Sequence, residues 1–168
     1  MKETSVGFGW DPNLLDRLDG FDCFSWRTGS KSMLPYSANP ASLTDLSIGL
    51  SKMVEDRQIS VASNARLVFD SFSDVILQSQ EFLRLLPILR SKLLKAGITT
   101  LLMVEAGMHD DKGIAAIEHE SDGTIMLKAE ETGRFIMVRR MIHTPTELKW
   151  IPFSISQGIE VKADIFFR

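Results

Sequence analysis

Two short apolar segments, each followed by a carboxylate and separated by a long helical pattern, constrain this chain more than any other feature. Asp70 follows the segment Ala65–Phe69, and Glu105 follows the segment Ile98–Val104. The residues between them carry apolar side chains at helical spacing, so the order is strand, helix, strand. Two strands joined by a helical crossover lie parallel in one sheet. The pattern therefore predicts an α/β fold in which Asp70 and Glu105 share one sheet edge.

Two long amphipathic helices are predicted before the second of these strands. The stretch from about Phe72 to Lys95 places apolar side chains on one face, at Val75, Phe82, Leu86, Leu89 and Leu93. Pro87 is expected to kink or split this helix because proline lacks a backbone donor, and Gly97 is expected to end it. An earlier helix is predicted to open at Asn39-Pro40 and to bury Leu43, Leu46, Leu50 and Met53.

The remaining segments complete an α/β pattern. The N-terminal part predicts a short helix over Asn13–Leu18, a strand over Phe21–Trp26 and a loop over 27–40. Residues 106–122 are polar, with one helical turn expected at Ile114–Ile117. Four strands separated by turn signals then follow, at Thr124–Lys128, Arg134–Arg140, Trp150–Ser156 and Ile159–Phe166. We therefore expect one domain over 1–168, with a mixed sheet flanked by helices and C-terminal antiparallel hairpins.

Composition excludes several classes of protein. A single cysteine, Cys23, rules out an intramolecular disulfide framework and a cysteine-based zinc site. The 19 Lys and Arg against 22 Asp and Glu give a net charge of −3, so nucleic acid is not indicated as a partner. No run of 18 apolar residues and no signal-type segment occurs, so no membrane association is expected. These features indicate a soluble, cytoplasmic protein.

The strand-end carboxylates are the leading candidates for chemistry. Ligands bind at the carboxyl ends of strands in open α/β sheets, and a carboxylate there is suited to a Mg²⁺ ion beside a nucleotide phosphate. The alternatives are that Asp70 only caps the following helix and that Glu105 is a solvated strand end. The run 108–111 (Met-His-Asp-Asp) is weak as a metal site, and a polar loop is favoured. Arg139-Arg140 is either a phosphate contact or solvated charge.

Serine nucleophile chemistry finds no support. Ser25, Ser71 and Ser73 lack the glycine pattern of a nucleophile elbow, so acyl transfer is not predicted.

The order of several short segments carries a family resemblance. These segments are Gly9-Trp10-Asp11, Leu67–Ser71, Gly97–Glu105, Asp122–Leu127, Val138–Met141 and Pro152–Ile155 with Gly158-Ile159. Together they resemble the KaiC-like branch of the RecA-type ATPases, including its archaeal RadA-related paralogues. The resemblance extends from Gly7 to Val161 and implies a RecA-like fold.

The resemblance also implies roles for three residues. Asp70 falls at the Walker B position, where the family's aspartate supports Mg²⁺, and Glu105 falls at a strand end that faces the nucleotide. The family's Lys-Met-Arg-Gly-Thr stretch supplies cations to a neighbouring subunit, and it falls here on residues 140–144. Arg140 matches the lysine, but Ile142 replaces the arginine.

The motif that grips phosphate in this family is missing from the sequence. No Gly-x-x-x-x-Gly-Lys-[Ser/Thr] occurs, and the nearest approach, Gly29-Ser30-Lys31-Ser32, follows the wrong strand. By resemblance, the P-loop strand is absent and the chain begins where the family's second helix ends. We therefore expect no cofactor for this chain alone, and ATP with Mg²⁺ if the P-loop portion is supplied. The sheet edges left open predict a homo-oligomer or a partner protein.

Three hypotheses for function follow. The first is a degenerate RecA-like domain that does not hydrolyse ATP and acts in interaction or regulation. The second is the C-terminal part of a complete KaiC-like ATPase whose P-loop segment lies elsewhere. The third is an unrelated α/β domain that binds a small molecule beside Asp70 and Glu105.

Overall fold

The structure is a computed structural model that describes residues 20–22, 29, 34–39, 41–78, 82–156 and 158–161. The helices are α1 (Leu43–Asp56), α2 (Ser73–Gln78), α3 (Phe82–Lys95) and α4 (Asp111–Glu120), with a 3-10 helix at Val61–Ser63. The strands are β1 (Phe21–Asp22), β2 (Tyr36–Ser37), β3 (Arg66–Phe69), β4 (Thr99–Leu102), β5 (Gly123–Glu130), β6 (Gly133–Met141), β7 (Ile151–Ile155) and β8 (Ile159–Val161). The predicted α/β class is confirmed.

The described residues group into two compact units. One spans Asp19–Glu120 and holds all four of these helices, and the other contains the described residues from Ser121 onward. Parallel pairing occurs in the first unit, as β1-β2 and β3-β4, and the second holds the antiparallel sheet β5-β6-β7-β8.

Strands β3 and β4 pair in parallel, as their crossover connection predicts. Arg66 lies opposite Thr99, and Phe69 lies opposite Leu102. Exposed and half-buried residues alternate along both strands, so one face of the pair is open. The apolar residues of these segments predict buried strands, but half of the side chains along each strand are exposed. The core residues pack against Leu67, Phe69 and Leu102, on one face of the pair, and the described residues leave the apolar side chains of the other face exposed.

Helix α1 begins at Leu43, three residues after the start at Pro40 that the sequence predicts. The Ser42 side chain accepts the Asp45 N–H at 3.2 Å, so Ser42 is the N-cap. Asn39 instead closes the preceding turn, where its Oδ1 accepts the Ala41 N–H at 2.9 Å. The predicted buried stripe is confirmed at Leu46, Leu50 and Met53, and the side chain of Leu43 lies outside the described set.

Proline does not interrupt the helix that contains it. Helix α2 covers Ser73–Gln78, and α3 runs from Phe82 to Lys95 with Pro87 inside it. The predicted split at Pro87 is therefore wrong. The predicted apolar face is confirmed, because Val75, Phe82, Leu86, Leu89 and Leu93 are all buried.

Gly97 ends α3 in a Schellman motif. The Ile98 N–H donates to the Leu93 carbonyl at 2.9 Å, and the Gly97 N–H donates to the Leu94 carbonyl at 3.0 Å. This geometry needs a left-handed residue, and Gly97 has φ +69°. The turn leads the chain directly into β4.

The core of the first unit consists of two apolar clusters that meet at Phe69. The first contains Ala38, Leu46, Phe72, Val75, Phe82, Leu86 and Ile117. The second contains Tyr36, Leu50, Met53, Leu89, Leu93 and Ile98. Leu67, Phe69 and Leu102 of β3 and β4 pack against these clusters.

The four C-terminal strands form an antiparallel meander, as their alternation and turn signals predict. Strands β5 and β6 form a hairpin in which Glu130 pairs with Gly133. The Lys128 ammonium lies 4.4 Å from the Trp150 ring centroid and 5.3 Å from that of Phe135, so one cation contacts two aromatic rings of this unit.

Four segments differ from their predictions or lie, in whole or in part, outside the described residues. The predicted helix Asn13–Leu18, Cys23 and most of the predicted strand 21–26 lie outside them. The predicted loop 27–40 contains β2, which pairs with β1. The single turn predicted at Ile114–Ile117 is a ten-residue helix, α4, because Asp110 supplies an N-cap.

Candidate functional site

Asp70 and Glu105 lie at the same edge of the β3-β4 pair, which we call the carboxylate edge. Backbone bonds continue past the strand ends, because the Met103 N–H donates to the Phe69 carbonyl at 3.0 Å. The Phe72 N–H in turn donates to the Met103 carbonyl at 2.8 Å. Both carboxylate residues are exposed to solvent. The parallel register thus brings together the two strand-end acids that the sequence singled out.

A buried hydroxyl at the start of α2 organises this edge. Ser73 is 1% exposed, and its Oγ accepts the Glu105 N–H at 2.8 Å. The same oxygen lies 2.9 Å from His109 Nε2. Ser71 Oγ accepts the Ser73 N–H at 3.1 Å, so the turn after Asp70 is held as well. One serine therefore connects the end of β4, the start of α2 and the loop that leads to α4.

Ser73 is the residue of this site that sequence reasoning missed. The sequence around Ser73 lacks a nucleophile pattern, and its burial leaves no access for a substrate. The available signal was its place three residues after Asp70 at the start of a helix. That signal identifies a helix start, whereas its contacts with Glu105 and His109 come from segments more than 30 residues away.

The run 108–111 has structural roles. His109 contacts Ser73, and Asp110 Oδ1 accepts the Gly113 N–H at 2.8 Å as the N-cap of α4. Within the described ranges, no three His, Cys, Asp or Glu residues are grouped so that they could hold a metal ion.

The carboxylate edge offers only part of the ligand set that a magnesium ion needs. Mg²⁺ is commonly held by one or two carboxylates together with water and substrate phosphates. Asp70 and Glu105 supply carboxylates of that kind, both open to solvent. Without phosphate oxygens, two exposed carboxylates hold the ion weakly, so a bound triphosphate would have to complete the site.

Arg140 lies in the other unit, near the end of β6. It pairs with Thr124 across the hairpin, and its side chain is exposed. Just beyond it, the Ile142 N–H donates to the Asp122 carbonyl at 2.8 Å, which closes the strand pair. Arg140 is thus presented on a rigid β-hairpin rather than on a loop.

Membrane insertion through a helix has no support in the described part of the chain, where every helix is too short or too polar to span a bilayer.

Comparisons with known proteins point to one family. A family model described as "ATPase: KaiC" matches residues 1–165. Among solved structures, the chain is similar to the KaiC-like protein PH0186 from the hyperthermophilic archaeon Pyrococcus horikoshii OT3. The two are 25% identical with a TM-score of 0.64, and the match covers 95% of this chain and 70% of that one. No curated protein gives a significant match.

Proposed function

The chain belongs to the KaiC family of ATPases, and from this premise we propose that it is a member that does not hydrolyse ATP and acts in interaction or regulation. The resemblance seen in the sequence is thereby confirmed at the level of the family. The proposal adds that these 168 residues retain the carboxylates of the family's nucleotide site but lack its phosphate-binding Walker A motif.

The observation that carries the proposal is the missing Walker A motif. No Gly-x-x-x-x-Gly-Lys-[Ser/Thr] occurs in the 168 residues. Triphosphate affinity in this superfamily depends on a cradle of backbone N–H groups and on the lysine of that motif. The carboxylate edge cannot replace them, because Asp70 and Glu105 repel an anion unless Mg²⁺ lies between.

An interaction role is supported by the open edges of the parallel strands. In the described residues, β3 and β4 form a pair without a third strand. Unpaired N–H and C=O groups at strand edges are templates for another chain. We therefore include a homo-oligomer or a partner protein in the proposal.

A second candidate function is the C-terminal part of a complete KaiC-like ATPase. The match to PH0186 supports it, because 30% of that chain has no counterpart here. In that case a separate segment would supply the P-loop, Asp70 would support Mg²⁺, and Glu105 and Arg140 would act on the nucleotide. A reading frame upstream of Met1 that encodes a Walker A motif would favour this candidate.

Nucleotide binding by the 168-residue chain tests the first proposal. Isothermal titration with ATP and Mg²⁺ should give a Kd no tighter than about 1 mM. Asp70→Asn should leave this weak binding unchanged or slightly stronger, because it removes a negative charge. Glu105→Gln is the matched control, because it also removes one negative charge from the carboxylate edge. Micromolar affinity together with phosphate release, both lost in Asp70→Asn, would refute the proposal.

A further inference from the structure

The β3-β4 pair has one uncovered face, which we call the outer face. Its residues alternate with those that pack into the core, and they are Arg66, Val68 and Asp70 on β3 with Thr99, Leu101, Met103 and Glu105 on β4. All seven are exposed. The three apolar members remain open to solvent, with Val68 53%, Leu101 55% and Met103 48% exposed.

This exposure is unusual for strands of this kind. Parallel sheets occur almost only where both faces are covered. Here the opposite face is packed, since Leu67, Phe69 and Leu102 lie against the core clusters. Three neighbouring half-exposed aliphatic side chains on a rigid pair of strands form a surface suited to a partner.

Charge is distributed along the outer face in a definite order. Arg66 lies at the start of β3, Val68 and Leu101 lie level with each other in the middle, and Asp70 follows at the other end. Arg66 donates to the carbonyls of Asn64 and Ala65 at 2.8 and 3.1 Å through one nitrogen, so donors remain for a further acceptor. The face is therefore positive at one end, apolar in the middle and negative at the other.

We propose that the outer face binds the outer face of a second copy of this chain, with the strands of the two copies antiparallel. A two-fold axis at the level of Val68 then places Val68 against Val68 and Leu101 against Leu101. Because Arg66 and Asp70 lie equally far from that level, each Arg66 meets Asp70 of the second copy. An isologous contact of this kind needs one self-complementary patch, which the outer face supplies.

The charges favour this arrangement over the other symmetric one. If the strands of the two copies ran in the same direction, a two-fold axis between β3 and β4 would place Arg66 against Thr99 and Asp70 against Met103. No opposite charges would then meet, and the carboxylate of Asp70 would lie against an apolar side chain, which opposes association. The antiparallel arrangement instead forms two Arg–Asp pairs.

The size of the face sets the expected affinity. Stable dimers bury about 800 Å² on each partner, and three half-exposed aliphatic side chains supply only part of that area. We therefore expect a reversible monomer–dimer equilibrium with a Kd of about 10–100 μM, measurable by sedimentation equilibrium.

Variants of the outer face test the proposal. Leu101→Lys should weaken dimerisation by about tenfold or more, because it places a charge at the centre of the contact. Arg66→Asp should weaken it by about tenfold, and the double variant Arg66→Asp with Asp70→Arg should restore it to within about twofold of wild type. Leu148→Lys is the matched control, since Leu148 is 73% exposed in a loop of the other unit. Far-UV circular dichroism verifies that each variant is folded.

The outcomes separate this contact from other occupants. A wild-type chain that stays monomeric at several times the expected Kd would overturn the proposal. Dimers unaffected by Leu101→Lys would also overturn it and would assign self-association to the strand edges. Dimers weakened by Leu101→Lys but not restored by the charge exchange would refute the antiparallel arrangement. None of these outcomes depends on nucleotide binding, so they leave the test of the proposed function independent.

Discussion

The substitution Gly97→Ala tests how the turn between α3 and β4 positions the candidate site. Gly97 has φ +69°, and a Cβ built there would lie 2.5 Å from the Val61 Cα and 3.2 Å from the Val61 Cβ. The left-handed conformation costs an alanine about 1–2 kcal/mol, and the reduced entropy of the unfolded chain returns about 0.4–1 kcal/mol. The close contact with backbone adds about 1–3 kcal/mol of overpacking. We expect a total loss of about 2–4 kcal/mol.

Gly107 provides a matched control for the conformational part of this cost. It also has a positive φ, +82°, but nothing lies within 4 Å of a Cβ built there. Gly107→Ala should therefore cost only about 0.5–1 kcal/mol. The difference between the two variants isolates the contact with Val61.

Urea unfolding followed by far-UV circular dichroism is the appropriate assay, because all four α-helices described lie in the unit that contains Gly97. A loss for Gly97→Ala within about 0.5 kcal/mol of that for Gly107→Ala would refute the reasoning, because the experimental uncertainty of such values is of that order. It would mean that the 3-10 helix moves away from the turn without cost.

Three further variants follow from the structure. Gln58→Gly should stabilise the chain by about 0.5–1 kcal/mol in urea unfolding, because Gln58 lies just after the C-cap of α1 with φ +51°. A loss of stability would contradict this. Ser73→Ala should lower the free energy of unfolding by about 1–3 kcal/mol, because it leaves buried polar groups unpaired. As a control, Ser51→Ala at an exposed serine should change it by less than about 0.5 kcal/mol. Equal effects of the two variants would contradict the organising role of Ser73. Lys128→Met should lower stability by about 0.5–1 kcal/mol in thermal unfolding, because it removes both the cation over Trp150 and the exposed ion pair with Glu130. An unchanged midpoint would show that neither contact contributes.

Elements whose signal is local were predicted from the sequence. The buried stripes of α1 and α3, the glycine stop after α3 and the four antiparallel strands follow from periodicity and turn residues. The parallel pairing of β3 and β4 followed from their crossover connection. The helix faces and turns depend on side chains within a few positions of each other, and the strand pairing depends on the order of strand, helix and strand along the chain. The sequence contains both kinds of information.

The misplaced boundaries arose where two local signals competed. Asn39 and Ser42 are both good helix caps, and only the path of the chain shows that Ser42 meets the Asp45 N–H. Pro87 is a strong breaker in isolation, yet α3 continues through it because its opposite face is packed into the core. Tertiary burial outweighed the local preference in that case.

The candidate site was predicted in part. Asp70 and Glu105 follow apolar strands, so their common edge could be inferred from chain order alone. Ser73 could not be found in this way, because its hydroxyl acquires its role only when the loop before α4 and the end of β4 approach it.

The sequence by itself determined the α/β class, the membership of the KaiC family and the lack of a Walker A motif in these residues. Each of these depends on residue types and their order along the chain. Only the tertiary structure decided which face of β3 and β4 is covered and which is left open at Val68, Leu101 and Met103. The sequence pattern of an apolar strand is the same whether or not a helix packs on it. The burial of each strand residue therefore depends on distant segments, which no local pattern specifies.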